Sequence, residues 1–167
     1  MKAISLFAGA GGLDLGCEAA GFRTVAAIEW DRTAQMTMLA NRDRFFADLE
    51  PEAMFGDITT LEVGELLDSA QLDAGEATLL HGGPPCTPFS KSGYWSSGDS
   101  RRLRDPRANT LRACLDVVET ARPRVVLLEN VPGLAYAGKT EGLDLLTQSF
   151  ESINTRHGTR YRVSVFR

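Results

Sequence analysis

Cys86 lies in a stretch, residues 82–90, that reads Gly-Gly-Pro-Pro-Cys-Thr-Pro-Phe-Ser. The apolar run at residues 78–80 precedes it, so the thiol follows a short predicted strand. Pro84 and Pro85 each fix φ and remove a backbone donor, which makes the loop before the thiol stiff. A cysteine that only fills a core would lie inside an apolar periodic pattern instead. The pattern therefore favours a cysteine nucleophile held on a rigid loop.

Glu129 is the second candidate for a reactive group, because it follows the apolar residues 125–128 and precedes Asn130, Val131 and Pro132. An acid at the mouth of an apolar strand can be held protonated, ready to donate a hydrogen bond. A solvated acid at a strand end is the simpler alternative. If the fourth and fifth strands are neighbours, Glu129 comes near Cys86, and the two form a nucleophile and general-acid pair.

A glycine-rich run, Phe-Ala-Gly-Ala-Gly-Gly at residues 7–12, follows the first predicted strand and opens the first helix. Glycines there let the backbone approach a ligand closely, and the helix start offers unpaired N–H groups. A plain tight turn is the alternative reading. The run lacks the full spacing of a dinucleotide fingerprint.

Carboxylates also follow the second and third strands. Glu29 is placed to accept hydrogen bonds from ribose hydroxyls, and Trp30 to stack on an adenine ring. Asp57 and Ile58 could take the exocyclic amine and pack on the face of the base, although an N-capping turn is as good an explanation. Asp31 is interpreted as a helix N-cap. Together the motifs predict a nucleoside pocket formed by Phe7, Gly9, Gly11, Gly12, Glu29, Trp30, Asp57 and Ile58.

Strand and helix patterns alternate along the chain and would position these groups. Strands are predicted at residues 2–7, 24–29, 53–55, 77–81, 125–128 and 161–166, and helices at 12–20, 31–41, 60–68, 108–121 and 141–153. Such alternation implies an α/β fold with a doubly wound parallel sheet and right-handed crossovers. Ligands of these folds bind beyond the carboxyl ends of the strands, where every motif above is placed.

Composition limits the remaining possibilities. The 167 residues suit one domain, and the net charge of −4 argues against a free-standing nucleic-acid binder. No membrane-length apolar run or signal peptide is evident, so a cytoplasmic protein is expected. Three cysteines without metal-ligand spacing predict no metal site, and Cys17 and Cys114 fall on helical apolar stripes typical of a core.

The long irregular stretch at residues 87–106 is locally basic in an acidic chain. A loop of this length in a compact domain is usually functional. We expect a lid that contacts nucleic-acid phosphates, with a solvated charged loop as the alternative. The predicted contacts are Ser90, Lys91, Arg101, Arg102, Arg104 and Arg107.

These motifs together resemble the DNA cytosine-5 methyltransferase family. The Phe-x-Gly-x-Gly motif matches Phe7, Gly9 and Gly11; the nucleophile loop matches Pro85 and Cys86; the Glu-Asn-Val motif matches residues 129–131. Glu29 with Trp30 and Asp57 with Ile58 match two further motifs, and Asp-Pro-Arg at 105–107 is similar to the family's Asp-Ser-Arg.

The resemblance implies a Rossmann-like methyltransferase that uses S-adenosylmethionine, of restriction-modification type. It implies that Cys86 adds to C6 of a flipped-out cytosine while Glu129 holds N3 and the exocyclic amine, with Pro85 and Asn130 beside them. DNA is the implied substrate. A branch of the family that acts on tRNA carries the same motifs and remains an alternative.

Parts of the family pattern do not occur in this sequence. The Gln-x-Arg-x-Arg motif, the target-recognition region and the C-terminal segment that completes the cofactor site are all absent. Residues 1–167 are therefore expected to be the N-terminal part of a catalytic domain whose sheet is C-terminally incomplete. A separate C-terminal subunit, a truncated product, and a non-catalytic S-adenosylmethionine-binding scaffold all remain open. An exposed apolar edge and self-association are expected.

Overall fold

The computed structural model describes residues 1–84, 108–129 and 141–166. The chain divides into two compact units, and each is described by itself. The first contains Met1–Pro84 and Asp116–Glu129, and the second contains Pro85–Leu115 and Asn130–Arg167.

The first unit is built on a five-stranded parallel sheet. Its strands pair in the order β3-β2-β1-β4-β5, and they confirm five of the predicted strands. The chain first runs from β1 through β2 to β3 and then returns to β4 on the other side of β1. Right-handed crossovers therefore place the helices of these two halves on opposite faces of the sheet. The doubly wound fold is thus confirmed. The strands are β1 (Lys2–Leu6), β2 (Arg23–Ile28), β3 (Met54–Phe55), β4 (Leu79–Gly82) and β5 (Val125–Leu128).

In the described parts of the chain, six α-helices lie between or after these strands, and five of them are at or near predicted positions. The short α3 and the two 3₁₀ turns, at Pro51–Ala53 and Ile58–Thr60, were not predicted. Each is shorter than the window over which hydrophobic periodicity can be recognised. The helices are α1 (Gly12–Ala19), α2 (Arg32–Ala40), α3 (Arg42–Phe45), α4 (Val63–Ser69), α5 (Ala108–Ala121) and α6 (Glu141–His157).

The centre of the sheet forms the core of the first unit. Ile4, Leu6, Ile28 and Leu80 are almost completely buried, as expected for a sheet with covered faces. Cys17 packs with Ala3 and Leu79. Cys114 on α5 is also buried, which confirms that both cysteines are core residues.

The strand predicted at residues 161–166 is wrong. The segment alternates apolar and polar residues, but it pairs with no strand in the described part of the chain. Instead, the side chain of Asn154 on α6 makes two hydrogen bonds to the backbone of Tyr161. Its Nδ2 donates to the Tyr161 carbonyl at 2.9 Å, and its Oδ1 accepts from the Tyr161 N–H at 2.8 Å. Val165 and Phe166 are exposed. Alternation of apolar and polar residues is compatible with a strand, but a strand also needs a neighbouring strand with which to form hydrogen bonds.

Within the residues that the structure describes, no helix is both long enough and apolar enough to cross a membrane.

Candidate cofactor and catalytic site

The glycine turn links β1 to α1 and opens the site. Phe7, Gly9 and Gly11 all have positive φ, at 55°, 57° and 86°. Such a φ strains the non-glycine Phe7 and is typical of functional turns. A Cβ added to Gly9 would meet nothing within 4 Å, so the space over its backbone is open. Gly12 is exposed at the first position of α1.

Gly11 is required for a different reason. A Cβ at this position would lie 2.6 Å from Cζ of Phe46, a residue that is 1% exposed. The turn is therefore seated on a buried ring. Sequence reasoning missed Phe46, because it follows the four-residue α3 and belongs to no periodic pattern.

Glu29 connects the end of β2 to the glycine turn. Its Oε2 accepts from the N–H of Gly9 at 2.7 Å, and its Oε1 accepts from the N–H of Asp31 at 2.8 Å. A carboxylate offers about four lone-pair positions, so two remain for a ligand's hydroxyls. The sequence placed Glu29 in the pocket but did not foresee that it also fixes the turn.

Gln35 on α2 is a second residue that the sequence did not indicate. Its Nε2 donates to the carbonyl of Glu29 and, at 3.3 Å, to that of Phe55. This side chain ties the end of β2 to the end of β3. A glutamine on the polar face of a helix gives no signal for such a role.

Trp30 is the most exposed aromatic residue after Phe166 among the large hydrophobic side chains described, at 80%. It follows Glu29 directly at the carboxyl end of β2. A core tryptophan is therefore excluded, and the ring is accessible for stacking. Asp31 next to it is an N-cap as predicted, accepting from the N–H of Ala34 at 2.8 Å.

Asp57 and Ile58 lie at the end of β3. Asp57 is exposed and caps the following 3₁₀ turn, since its Oδ1 accepts from the N–H and from the hydroxyl of Thr59, both at 2.8 Å. Its Oδ2 carries no hydrogen bond to the described residues and can take an exocyclic amine. Ile58 is only 6% exposed, so little of it can face a ligand.

Glu129 lies at the carboxyl end of β5, next to the end of β4. Its backbone N–H donates to the carbonyl of Gly82 at 2.9 Å. Its Oε2 lies 3.2 Å from where a Cβ of Gly83 would be, so the carboxylate rests over that glycine. The predicted adjacency of the fourth and fifth strands is correct. The Glu129 carboxylate thus lies over Gly83, a residue that precedes Cys86 by three positions in the sequence.

The remaining predicted site residues lie outside the described residues, and the structure does not test them. They are Pro85, Cys86 and Asn130 of the predicted catalytic set and Ser90, Lys91, Arg101, Arg102, Arg104 and Arg107 of the predicted phosphate contacts.

Comparison with known proteins identifies the family. The profile described as C-5 cytosine-specific DNA methylase matches residues 1–165. The chain belongs to this family. It is 38% identical over 148 residues to the Type II methyltransferase M.SacI of Streptomyces achromogenes, covering 81% of this chain and 36% of that protein. It is 34% identical over 165 residues to M.AquIA of a Picosynechococcus species, covering 98% and 62%.

A solved structure agrees with the family fold. A crystal structure described as a DNA modification methyltransferase encoded within an E. coli prophage superposes with a TM-score of 0.67 at 28% identity. The match covers 93% of this chain and 38% of that one. The chain thus spans less than two thirds of the length of these family members, although nearly all of it takes part in the match.

Proposed function

We propose that this chain forms the cofactor-binding and catalytic part of an enzyme that methylates C5 of cytosine in DNA, with S-adenosylmethionine as the methyl donor. The observation that carries the proposal is the convergence of the glycine turn, Glu29 and Glu129 at the carboxyl edge of one parallel sheet. Doubly wound sheets bind ligands at this edge, where the strand order reverses.

The residues at this edge fit S-adenosylmethionine. The open backbone at Gly9 and the start of α1, whose N-cap Gly11 makes no side-chain hydrogen bond, suit the polar amino-acid end of the ligand. Glu29 has acceptor capacity for ribose hydroxyls, and the exposed Trp30 ring can stack on adenine. Asp57 Oδ2 is available to the exocyclic amine. When bound, the sulfonium supplies an electrophilic methyl group and leaves as S-adenosylhomocysteine.

Cys86 would act as the nucleophile. Its thiolate adds to C6 of the cytosine ring, and the electron pair moves toward C5 and N3. Glu129 donates a hydrogen bond to N3 and accepts one from the exocyclic amine, which stabilises the adduct. C5 then attacks the methyl carbon. A base removes the C5 proton, the bond between Cys86 and C6 breaks, and 5-methylcytosine and the thiolate are released.

Stacking in a duplex blocks both faces of the cytosine ring, so the target base must be flipped out. Extrusion costs a few kcal/mol, which contacts in the pocket would offset. The basic residues of the segment 87–106, with Arg107, would contact the phosphates around the flipped nucleotide.

Target recognition would come from elsewhere. Because the chain covers 36% of M.SacI and 62% of M.AquIA, the relatives carry further sequence beyond the matched part. We expect activity to need such a region, either on a separate C-terminal subunit or on the same polypeptide. Restriction-modification is the favoured setting, because the relatives are named Type II methyltransferases.

Methyl transfer to unmethylated duplex DNA tests the proposal. Tritiated S-adenosylmethionine is supplied to the wild-type chain and to Cys86→Ala, each alone and fused to the C-terminal remainder of M.AquIA, and the labelled nucleosides are separated. We expect label in 5-methylcytosine with the wild-type fusion and none with the Cys86→Ala fusion. Label on an exocyclic nitrogen, or undiminished label with Cys86→Ala, would overturn it. The same proteins are also given tRNA, and label in tRNA alone would favour the tRNA branch. Binding of S-adenosylmethionine without any methyl transfer would favour the non-catalytic scaffold.

A further inference from the structure

Four polar side chains are buried between α1 and the centre of the sheet. Ser5 on β1, Asp14 on α1, Thr24 on β2 and His81 on β4 are each between 0% and 1% exposed. They come from all the elements that surround the reversal of strand order. The proposed chemistry uses none of them.

Asp14 is the centre of this cluster. Its Oδ2 accepts from the hydroxyl of Ser5 at 3.0 Å, and its Oδ1 accepts from that of Thr24 at 3.1 Å. His81 Nε2 lies 3.6 Å from the same Oδ1. Neither ring nitrogen of His81 has a hydrogen-bond partner among the described residues. A buried polar group of this kind needs an explanation.

Burial sets the charge of the pair. Desolvation raises the pKa of Asp14, opposed by His81 and by the hydroxyls of Ser5 and Thr24. Desolvation also lowers the pKa of His81, opposed by Asp14. Both shifts favour uncharged side chains. Glu18 on the same helix has charged and polar partners instead: Arg23 Nη1 pairs with its Oε2 at 2.7 Å, and its Oε1 accepts from the N–H of Thr24 at 2.8 Å.

A cluster of this kind is a poor way to stabilise a core. Replacing buried ionisable groups by apolar side chains of similar size is often neutral or stabilising, so their presence suggests a role in fixing one arrangement. His81 has apolar neighbours, Leu79 and Leu80, on the same strand. A leucine or valine at its position would continue an ordinary buried strand.

The position of the pair shows what it could hold in place. Asp14 is three residues beyond Gly11, at the end of the glycine turn, and His81 directly precedes Gly82 and Gly83. Ser5 is in register with His81 across β1 and β4. The contact therefore joins the start of α1 to the end of the strand that leads, in sequence, to Cys86.

We propose that Asp14 and His81 are positioning residues that couple the glycine turn to the end of β4. Through this pair, a change on β4 alters the cofactor site, and a change on α1 alters the environment of Cys86. The predicted effect on the cofactor site rests on the proposed function, whereas the predicted effect on the environment of Cys86 does not.

The test measures each site while changing the opposite partner. The affinity for S-adenosylmethionine is measured by calorimetry, and the rate of Cys86 alkylation by iodoacetamide is followed by peptide mass spectrometry. We expect His81→Leu to weaken cofactor binding about tenfold. Asp14→Asn should change the alkylation rate by a similar factor, about tenfold, through the same coupling. His81→Gln keeps an N–H donor near Asp14 and should restore most of the cofactor affinity.

Asp68→Asn is the matched control, because it makes the same carboxylate-to-amide change at an exposed position of α4, and it should leave both readouts unchanged. If His81→Leu does not fold, Ser5→Ala removes one donor to Asp14 and should weaken cofactor binding in the same direction. Folded variants that leave both readouts at wild-type values would overturn the inference. A wild type that binds no S-adenosylmethionine, even when fused to the C-terminal remainder of M.AquIA, refutes the proposed function. The alkylation rate of Asp14→Asn then decides the inference, and an unchanged rate overturns it.

Discussion

At the scale of single residues, substitution at Gly83 should affect activity more than stability, because its neighbour is the Glu129 carboxylate. An alanine methyl at Gly83 would come within 3.2 Å of the carboxylate Oε2, so the flexible side chain of Glu129 would have to move. We expect Gly83→Ala to reduce methyl transfer by about tenfold while changing stability by less than about 1 kcal/mol. Tritium incorporation and thermal unfolding measure the two effects. An unchanged rate of methyl transfer would mean that the Glu129 carboxylate does not need its position over Gly83 for the reaction.

Trp30 offers a test of the cofactor pocket. Loss of an aromatic stacking partner is worth about 0.5–1.5 kcal/mol, so Trp30→Ala should weaken S-adenosylmethionine binding by roughly two- to thirteenfold. Met36→Ala is the control, since Met36 is also exposed, at 62%, on the neighbouring helix α2. Calorimetric titration gives both affinities. Equal affinities for the two variants would remove Trp30 from the pocket.

His81 should make stability depend on pH. Its pKa is lowered by burial from the ordinary 6.5, so the unfolded chain takes up a proton near that pH while the folded chain resists it. Stability is therefore lost as the pH falls through this range. Relative to His81→Gln, which retains Asp14, the wild type should lose on the order of 1 kcal/mol between about pH 7.5 and about pH 5.5. Urea unfolding measures the free energy of unfolding of both proteins at each pH. The same difference between wild type and His81→Gln at both pH values would contradict this prediction.

Much of the site could be predicted at this scale, because strand-end carboxylates and glycines leave a mark in the sequence. Glu29, Trp30 and Asp57 lie at the strand ends where they were expected. The hydrogen bond from the Gly9 N–H to the Glu29 carboxylate and the packing of the Phe46 ring against Gly11 could not be predicted. Both depend on long-range packing of a turn, which no local pattern encodes.

At the scale of elements, the close approach of β4 and β1 depends on Gly82. A Cβ there would lie 2.3 Å from the backbone carbonyl oxygen of Leu6, and backbone cannot move aside as a side chain can. Gly82→Ala should cost about 1–3 kcal/mol or more. Gly16→Ala, in α1 with nothing within 4 Å, should instead stabilise by about 0.5–1 kcal/mol. Denaturant unfolding of both variants checks the opposite signs.

The elements themselves were largely predictable, since periodicity and flanking turns agree for the five strands and the longer helices. The failure at residues 161–166 has a physical cause. A strand is stabilised by a neighbour's backbone, and in the described chain Asn154 takes the backbone groups of Tyr161 instead.

At the scale of the whole molecule, β5 leaves apolar side chains uncovered. Val125 is 55% exposed and Leu127 is 46% exposed, on the face that Leu79 and His81 share with them by register. We expect the chain alone to self-associate through this face. Val125→Thr with Leu127→Thr keeps the β propensity and should shift the chain toward monomer in analytical ultracentrifugation. An unchanged distribution would place the contact elsewhere.

Trapping of the covalent adduct tests the central claim most directly. Duplex DNA containing 5-fluorocytosine is incubated with S-adenosylmethionine and the protein form that transfers methyl groups, and the protein is digested for mass spectrometry. The fluorine replaces the C5 proton, so Cys86 cannot be eliminated after methyl transfer. The account predicts a methylated fluorocytosine adduct on the peptide that contains Cys86. Methyl transfer to ordinary DNA by a protein that forms no such adduct, or an adduct on another residue, would contradict it.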